Sequence, residues 1–275
     1  MTSGATRQAG VMGWPLAHTL SPRLHSYWIR RHGLDAEYAA LPVEPERLGA
    51  EFRARQEAGY AGWNLTVPHK EAALKLVAEA DAEALAIGAV NTVVVRRDGS
   101  LLGMNTDAYG FAKNLLQQAG DPRGFAECAL VLGAGGAARA VVHALWKIGM
   151  KKILLANRTP ERAAKVAKNF GTEPVAWESC AGRLSGVTLL VNTTMLGMQG
   201  QPPLELPLEK LPAGAVVADI VYAPLETDLL KRARAKGCRA VTGLGMLIHQ
   251  AVPGFAAWFG IMPEITPELE GYLLS

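Results

Sequence analysis

Residues 130–139 read Leu-Val-Leu-Gly-Ala-Gly-Gly-Ala-Ala-Arg, an apolar run that enters a glycine-rich turn and then a helix-forming stretch. A strand, a Gly-x-Gly turn and a helix N-terminus together make an anion site. The glycines let the backbone approach a phosphate, and the free amide N–H groups and the helix dipole favour negative charge. The residues placed to line it are Gly133, Ala134, Gly135, Gly136 and Ala137. Glycine also serves tight strand–helix turns that bind nothing, so the next apolar run decides the ligand. Lys151-Lys152-Ile153-Leu154-Leu155-Ala156 ends in Asn157-Arg158-Thr159, with Arg162 one turn later. An NAD site usually has Asp or Glu there to bind the ribose 2′-hydroxyl. Two arginines and two short hydrogen-bonding side chains suit a 2′-phosphate instead. The pattern points to a dinucleotide site that prefers NADP.

A second group of candidates lies upstream. Gly62-Trp63-Asn64-Leu65-Thr66-Val67-Pro68-His69-Lys70-Glu71 sits at a strand-to-helix junction, and the carboxyl ends of strands are where open α/β sheets bind ligands. A lysine is most often a solvated surface residue. Lys70, in a first helical turn, faces the positive end of a helix dipole, a setting that suits an amine which must give up and regain a proton. Asp107, in Asn105-Thr106-Asp107, is by position a natural helix N-cap. Asn91-Thr92 lies within an apolar strand, where the amide needs a partner; structural hydrogen bonding and ligand contact are equally open. His18, His25, His32, His143 and His249 show no metal-ligand spacing and no HExxH occurs; no metal is expected. No Gly-x-Ser-x-Gly elbow is present, which leaves a hydrolase triad without support.

The elements that must hold these residues alternate. Strands are expected at Gln8–Gly13, Glu37–Val43 and Gly62–Val67, and helices from Ser21-Pro22 to His32, from Pro45 to Gly59 and from Pro68 through Ala78. Ser21 reads as an N-cap and Pro22 as the first helical residue, with Gly33 as the stop. Ala89–Arg96 and Leu101–Met104 read as a hairpin around Arg97-Asp98-Gly99-Ser100. A helix over Ala108–Ala119 follows, then strands at Ala129–Leu132, Ile153–Ala156, Leu189–Asn192, Val216–Ile220 and Ala240–Thr242, and helices over Met246–Phe259 and after Thr266-Pro267. Near-continuous apolar strands alternating with helices predict a parallel, doubly wound sheet. The expected organisation is α/β with two domains: 1–107 with 244–275, and 108–243, the second of Rossmann type.

Composition narrows the class. The chain has 275 residues, 49% hydrophobic and 19% charged, with a formal net charge of +3. That balance, with no long run of like charge, gives no reason to expect nucleic acid. Cys128, Cys180 and Cys238 lack CxxC spacing and read as small buried residues in a reducing compartment. No apolar segment at Met1–Gly10 and no run of 18 apolar residues leave no membrane segment to expect, and a cytoplasmic location is the expectation. Monomer and homodimer both remain open.

The ordered set of motifs resembles the shikimate dehydrogenase family over nearly the whole chain. It comprises Leu20-Ser21-Pro22 with His25, Asn64 to Lys70, Gly88-Ala89-Val90-Asn91-Thr92, Gly103-Met104-Asn105-Thr106-Asp107, Gly133 to Arg139, Asn157-Arg158-Thr159, Val191-Asn192-Thr193-Thr194, Asp219-Ile220-Val221-Tyr222 and Gly243-Leu244-Gly245-Met246-Leu247. The resemblance implies two α/β domains flanking a cleft, the first holding substrate and the second NADP. It implies reversible reduction of 3-dehydroshikimate to shikimate by NADPH, on the route to aromatic amino acids. Lys70 and Asp107 match the family's paired catalytic residues. Thr19 and Ser21 match a hydroxyl pair for the substrate carboxylate, and Thr66, Asn91, Tyr222 and Gln250 match further substrate contacts. Ile220 and Gly243 match positions near the nicotinamide, and Thr193 joins the cofactor set. The family commonly has Ser-x-Ser where this chain has Thr19-Leu20-Ser21. Relatives that use quinate differ in the same loop, so a broader quinate/shikimate dehydrogenase is the alternative. A non-catalytic NADP sensor is a further one, which the retained Lys70 and Asp107 disfavour. A methyltransferase would not need the arginines.

Overall fold

Strands and helices alternate along the whole chain in the computed structural model, which describes residues 6–16 and 19–275. Met1–Ala5, Ala17 and His18 therefore lie outside the described residues, and with them part of the amino-terminal reading and the His18 reading. The elements are β1 (Arg7–Gly13), α1 (Ser21–Arg31), β2 (Ala36–Pro42), α2 (Leu48–Glu57), β3 (Gly62–Leu65), α3 (Lys70–Ala73), β4 (Glu79–Ala80), α4 (Ala82–Ile87), β5 (Thr92–Val95) and β6 (Leu101–Met104). Then come α5 (Asp107–Ala119), β7 (Cys128–Leu132), α6 (Gly136–Lys147), β8 (Lys152–Ala156), α7 (Pro160–Phe170), β9 (Glu173–Val175), α8 (Cys180–Arg183), β10 (Leu189–Asn192), β11 (Val216–Asp219), α9 (Asp228–Ala235), β12 (Arg239–Val241), α10 (Leu244–Phe259) and α11 (Pro267–Leu274). No helix among the described residues is long and apolar enough to cross a membrane.

The chain divides into two units, Met1–Thr106 with Ile248–Ser275, and Asp107–Leu247. This division places Asp107 and Leu244–Leu247 in the second unit, whereas the expected boundaries placed them in the first. The first unit carries a mixed sheet in the order β2-β1-β3-β5-β6-β4. β1 runs parallel to β2 and β3, while β5 is antiparallel to both β3 and β6. Its core holds Met12, Phe52, Trp63, Leu65, Val90 and Val93. The second sheet is parallel throughout, in the order β12-β11-β10-β7-β8-β9. Counted from β7, this is the 3-2-1-4-5-6 order of a Rossmann sheet, with the reversal between β7 and β10. β7, β8, β10 and β11 are buried along nearly their whole length, as a sheet covered on both faces requires.

Several local expectations need correction. Ser21 is the first residue of α1, with Leu20 in the cap position and no side-chain cap. Gly33 does stop the helix, at φ +60, with Leu34 N donating to Ile29 O at 3.1 Å. The helix expected over 68–78 is one turn, α3. Beyond it the chain turns through Lys75 N–Ala72 O and Leu76 N–Ala73 O, and Ala78 N then bonds Leu101 O. The pull of the sheet edge, where β4 pairs with β6, ends the helix. α4 was not anticipated, although its signals are local: Asp81 caps it by accepting from Ala84 N at 2.6 Å, and Gly88 ends it at φ +73. β9 is too short to announce itself.

Candidate active site

In the second unit the glycine turn stands at the carboxyl end of β7, at the strand-order reversal. Gly133 has φ +115, and a Cβ there would lie 2.4 Å from Thr193 Oγ1. Thr193 is itself locked, its hydroxyl donating to Leu132 O at 2.6 Å. Gly133 is thus demanded by the protein's own packing. Gly135, the residue before α6, differs: a Cβ there would meet nothing within 4 Å. Its missing side chain leaves open the approach to the first turn of a helix of 12 residues, as an anion requires. Gly136 and Ala137 are half-buried beside it, and Ala134 is buried.

The end of β8 supplies the positive charge. Asn157 Nδ2 donates to Thr159 O at 3.0 Å, which shapes the turn. Thr159 occupies the cap position of α7 without capping it. Arg158 and Arg162 are exposed, and neither forms an ion pair or hydrogen bond with a described residue. Arg183, Arg232 and Arg234 of the same unit are all paired with carboxylates. Two uncommitted guanidinium groups beside a phosphate cradle fit a dinucleotide that carries a 2′-phosphate.

On the other side of the reversal, Ile220 N donates to Asn192 O at 3.1 Å. The chain at Gly243 passes so close that a Cβ would lie 2.4 Å from Ile220 O. Ile220 and Gly243 are therefore neighbours, and Gly243 is a glycine for steric reasons. Tyr222 follows, half-buried. A feature not foreseen from sequence lies beneath this loop. The Asp219 carboxylate is buried and accepts from Asn192 Nδ2 (3.0 Å), Val221 N (3.0 Å) and Thr227 Oγ1 (2.7 Å). Burial pushes this carboxyl up to about 6, against the three hydrogen bonds that hold it down. The available signal was an acid ending an otherwise apolar strand, with a threonine eight residues on.

In the first unit the candidates gather through hydrogen bonds at the ends of β3 and β5. Leu65 N donates to Asn91 O at 2.8 Å, and Val90 N to Lys70 O at 2.8 Å. These bonds bring Thr66 and Lys70 alongside Asn91. Asn91 is buried, and its Nδ2 donates to Thr106 Oγ1 (2.9 Å) and Gln250 Oε1 (3.2 Å). Its Oδ1 accepts from Thr106 N (2.8 Å) and Thr92 Oγ1 (3.0 Å). Asn91 is thus a hub for the other polar candidates, which supplies the structural hydrogen bonding that its amide needs. Asp107 is the next residue after Thr106, is buried and opens α5. Lys70 opens α3, but four residues carry too short a dipole for the first-turn argument made from sequence. Thr66 N is fixed to Met12 O at 2.9 Å, and its methyl fills the space left by Gly13.

Thr19 and Ser21 form a separate pair: Thr19 Oγ1 accepts from Ser21 N at 3.3 Å. Among the described residues the Ser21 hydroxyl makes no hydrogen bond, and that of Thr19 keeps its proton to donate. Two adjacent donors suit a carboxylate. His69 is a structural neighbour of Lys70. It is buried and bonds Val43 O through Nε2 at 2.8 Å; burial lowers its pKa, so the neutral ring donates. Behind Asn91, Asn64 Nδ2 donates to Thr92 Oγ1 (3.0 Å) and Tyr38 OH donates to Asn64 Oδ1 (2.7 Å).

A Rossmann sheet with an anion cradle and free arginines, in a chain whose other unit gathers a lysine, amides and hydroxyls, defines a dinucleotide-binding protein of the α/β class. Comparison with known proteins narrows this. Residues 11–93 match the shikimate dehydrogenase substrate binding domain, 117–195 the shikimate / quinate 5-dehydrogenase family and 243–267 the shikimate 5′-dehydrogenase C-terminal domain. The chain is 54% identical over 275 residues to the shikimate dehydrogenase (NADP(+)) of Paramagnetospirillum magneticum, covering 99% of this chain and 100% of that one. It superposes on shikimate 5-dehydrogenase of Thermus thermophilus, solved with NADP(H) and shikimate, with TM-score 0.85, 39% identity and 97% of each chain covered. It also superposes on quinate dehydrogenase of Corynebacterium glutamicum, solved with NAD, with TM-score 0.88, 31% identity and coverage of 98% and 99%. The chain belongs to the shikimate dehydrogenase family.

Proposed function

We propose that this chain is an NADP-dependent shikimate dehydrogenase that interconverts 3-dehydroshikimate and shikimate, with Lys70 and Asp107 as its acid/base pair. The observation that carries the reading is the hydrogen-bonded gathering of Thr66, Lys70, Asn91, Thr106 and Gln250, with Asp107 next in the chain. NADP would be held by the turn Gly133–Ala137 for its pyrophosphate and by Asn157, Arg158, Thr159 and Arg162 for its 2′-phosphate, with Thr193, Ile220 and Gly243 towards the nicotinamide. When bound as NADPH, it supplies a hydride to the substrate carbonyl carbon.

The remaining chemistry belongs to the side chains. Thr19 and Ser21 donate to the substrate carboxylate, while Thr66, Asn91, Tyr222 and Gln250 hold the ring hydroxyls. In the oxidative direction the neutral Lys70 amine accepts the proton of the reacting hydroxyl; in reduction the Lys70 ammonium returns it to the carbonyl oxygen. Asp107 orients the Lys70 amine and accepts a hydrogen bond from substrate. The methyl of Thr19 narrows the space beside the ring carbon that bears the carboxylate. Quinate has a hydroxyl on that carbon, and pressing it against a methyl removes its water without giving it a partner. This favours shikimate over quinate.

Removing a positioned proton-transfer group costs about 10²–10⁴ in rate. Lys70→Ala should lower kcat by that factor and change shikimate KM less. Asp107→Ala should also lower kcat, and the two losses together should be less than multiplicative. Near-normal turnover of Lys70→Ala would remove the lysine from the mechanism.

A further inference from the structure

We propose that Asp219 is a positioning residue: its carboxylate clamps the 220–226 loop to the segment after β10 and so sets Ile220 and Tyr222 for turnover. The proposal rests on the roles given above to Ile220 and Tyr222. The clamp joins three pieces of chain. Oδ1 accepts from Val221 N and Asn192 Nδ2, both at 3.0 Å, which fixes the start of the loop and the end of β10. Oδ2 accepts from Thr227 Oγ1 at 2.7 Å, which fixes the loop's end. Thr227 in turn caps α9, accepting from Leu230 N at 3.4 Å. Asn192 extends the network: Nδ2 also donates to Leu196 O at 3.0 Å, and Oδ1 accepts from Thr194 N (3.0 Å) and Thr194 Oγ1 (2.7 Å). The segments that follow β10 and β11 thus depend on one pair of buried side chains.

The choice of a carboxylate needs a reason. Asp219 is 1% exposed, and no cation of the described residues pairs with it. A buried anion without a counter-ion is costly, and burial alone would be served by an apolar residue. Burial pushes the carboxyl up to about 6, so at neutral pH the fold retains the charged form at a cost. What the carboxylate offers is acceptor capacity alone, at both oxygens, for donors that come from a backbone amide, a side-chain amide and a hydroxyl. An amide of the same shape must turn an N–H2 towards one of those donors. The loop it holds has no slack, because Gly243 already lies against the Ile220 and Val221 carbonyls.

The test compares Asp219→Asn, Thr227→Val and Thr227→Ser with the unaltered chain. Three quantities are measured: kcat/KM for shikimate, NADP affinity by fluorescence titration, and thermal midpoint. The expected result is a loss of kcat/KM of about tenfold or more in Asp219→Asn and Thr227→Val, the scale of a hydrogen bond to a charged group. Thr227→Ser keeps the hydroxyl and should stay near the unaltered value. NADP affinity should change less than about threefold in all three, since the turn and the arginines are untouched. Unchanged kcat/KM in Asp219→Asn and Thr227→Val overturns the proposal. So does a parallel fall of turnover, NADP affinity and thermal midpoint, which is the signature of a merely structural acid. If Asp219→Asn does not fold, the Thr227→Val against Thr227→Ser contrast decides alone. Tyr222→Phe separates the clamp from the reading beneath it. If it is silent while Asp219→Asn is costly, the Tyr222 assignment fails and the clamp stands. If it raises shikimate KM while the clamp variants are silent, the clamp fails and the assignment stands.

Discussion

Arg158 and Lys70 look alike in a sequence, each a cation after an apolar run, but their surroundings separate them. Arg158 extends from the end of β8, and no acid among the described residues is committed to it. A hydrogen bond to a charged group contributes roughly 1.5–3 kcal/mol, or about 10- to 150-fold. Arg158→Ala should weaken NADP by about that factor and leave NAD nearly unchanged, as read by binding titrations with each. An equal loss for both would move Arg158 from the 2′-phosphate to the adenine or the fold. His25 presents the opposite case, a titratable group kept from charge. It is stacked on Tyr38 with centroids 3.9 Å apart and planes 7° apart, and neither ring nitrogen has a hydrogen-bond partner among the described residues. Burial pushes its pKa from 6.5 down to about 3. The unfolded chain therefore takes up a proton that the folded chain refuses as pH falls below 6.5. The His25 contribution is constant above that pH and is lost on acidification, by about 1.4 kcal/mol per pH unit until the folded ring titrates. Urea midpoints measured from neutral pH down to about pH 4 should fall more steeply for the unaltered protein than for His25→Phe; equal slopes would rule out this origin.

At the scale of elements, two glycines of one turn make separable claims. Gly133→Ala combines a positive φ with a Cβ 2.4 Å from Thr193 Oγ1, and should cost about 3 kcal/mol or more in unfolding free energy. Gly135→Ala meets no atom within 4 Å. It should cost roughly 1 kcal/mol as a poorer helix cap but weaken NADP strongly, because its methyl would stand where the proposed site receives the phosphate. If Gly135→Ala bound NADP normally, the turn would not be the cradle. β7, β8, β10 and β11 were legible because parallel strands buried on both faces are apolar along their length. The β5–β6 hairpin was legible through Asp98-Gly99, and Gly99 takes φ +83. The α3–β4–α4 stretch was not, since its helical pattern is broken by pairing with β6, a contact between residues far apart in sequence. The same limit hid the site's wiring. Asn91 could be read as needing a partner, but that Thr106 and Gln250 are its partners is a property of the folded sheet. Asp219 was visible as a residue of a motif while its three donors were not.

At the scale of the molecule, the two units carry complementary chemistry. The first gathers hydroxyls, amides and Lys70 around the ends of β3 and β5. The second pairs a phosphate cradle with free arginines at the reversal of a parallel sheet. Hydride transfer to a small substrate needs both kinds of chemistry. The proposed function would draw two selectivities from separate places, NADP over NAD from Arg158 and Arg162, and shikimate over quinate from Thr19. The measurement that tests the central claim most directly is NADPH formation by the purified chain with shikimate, run beside quinate and beside NAD in place of NADP. The account predicts that kcat/KM for shikimate with NADP exceeds that for quinate by about tenfold or more, the scale of a hydroxyl buried without a partner, and that NAD is the poorer cofactor by a similar factor. Comparable rates with quinate, or with NAD, would contradict it.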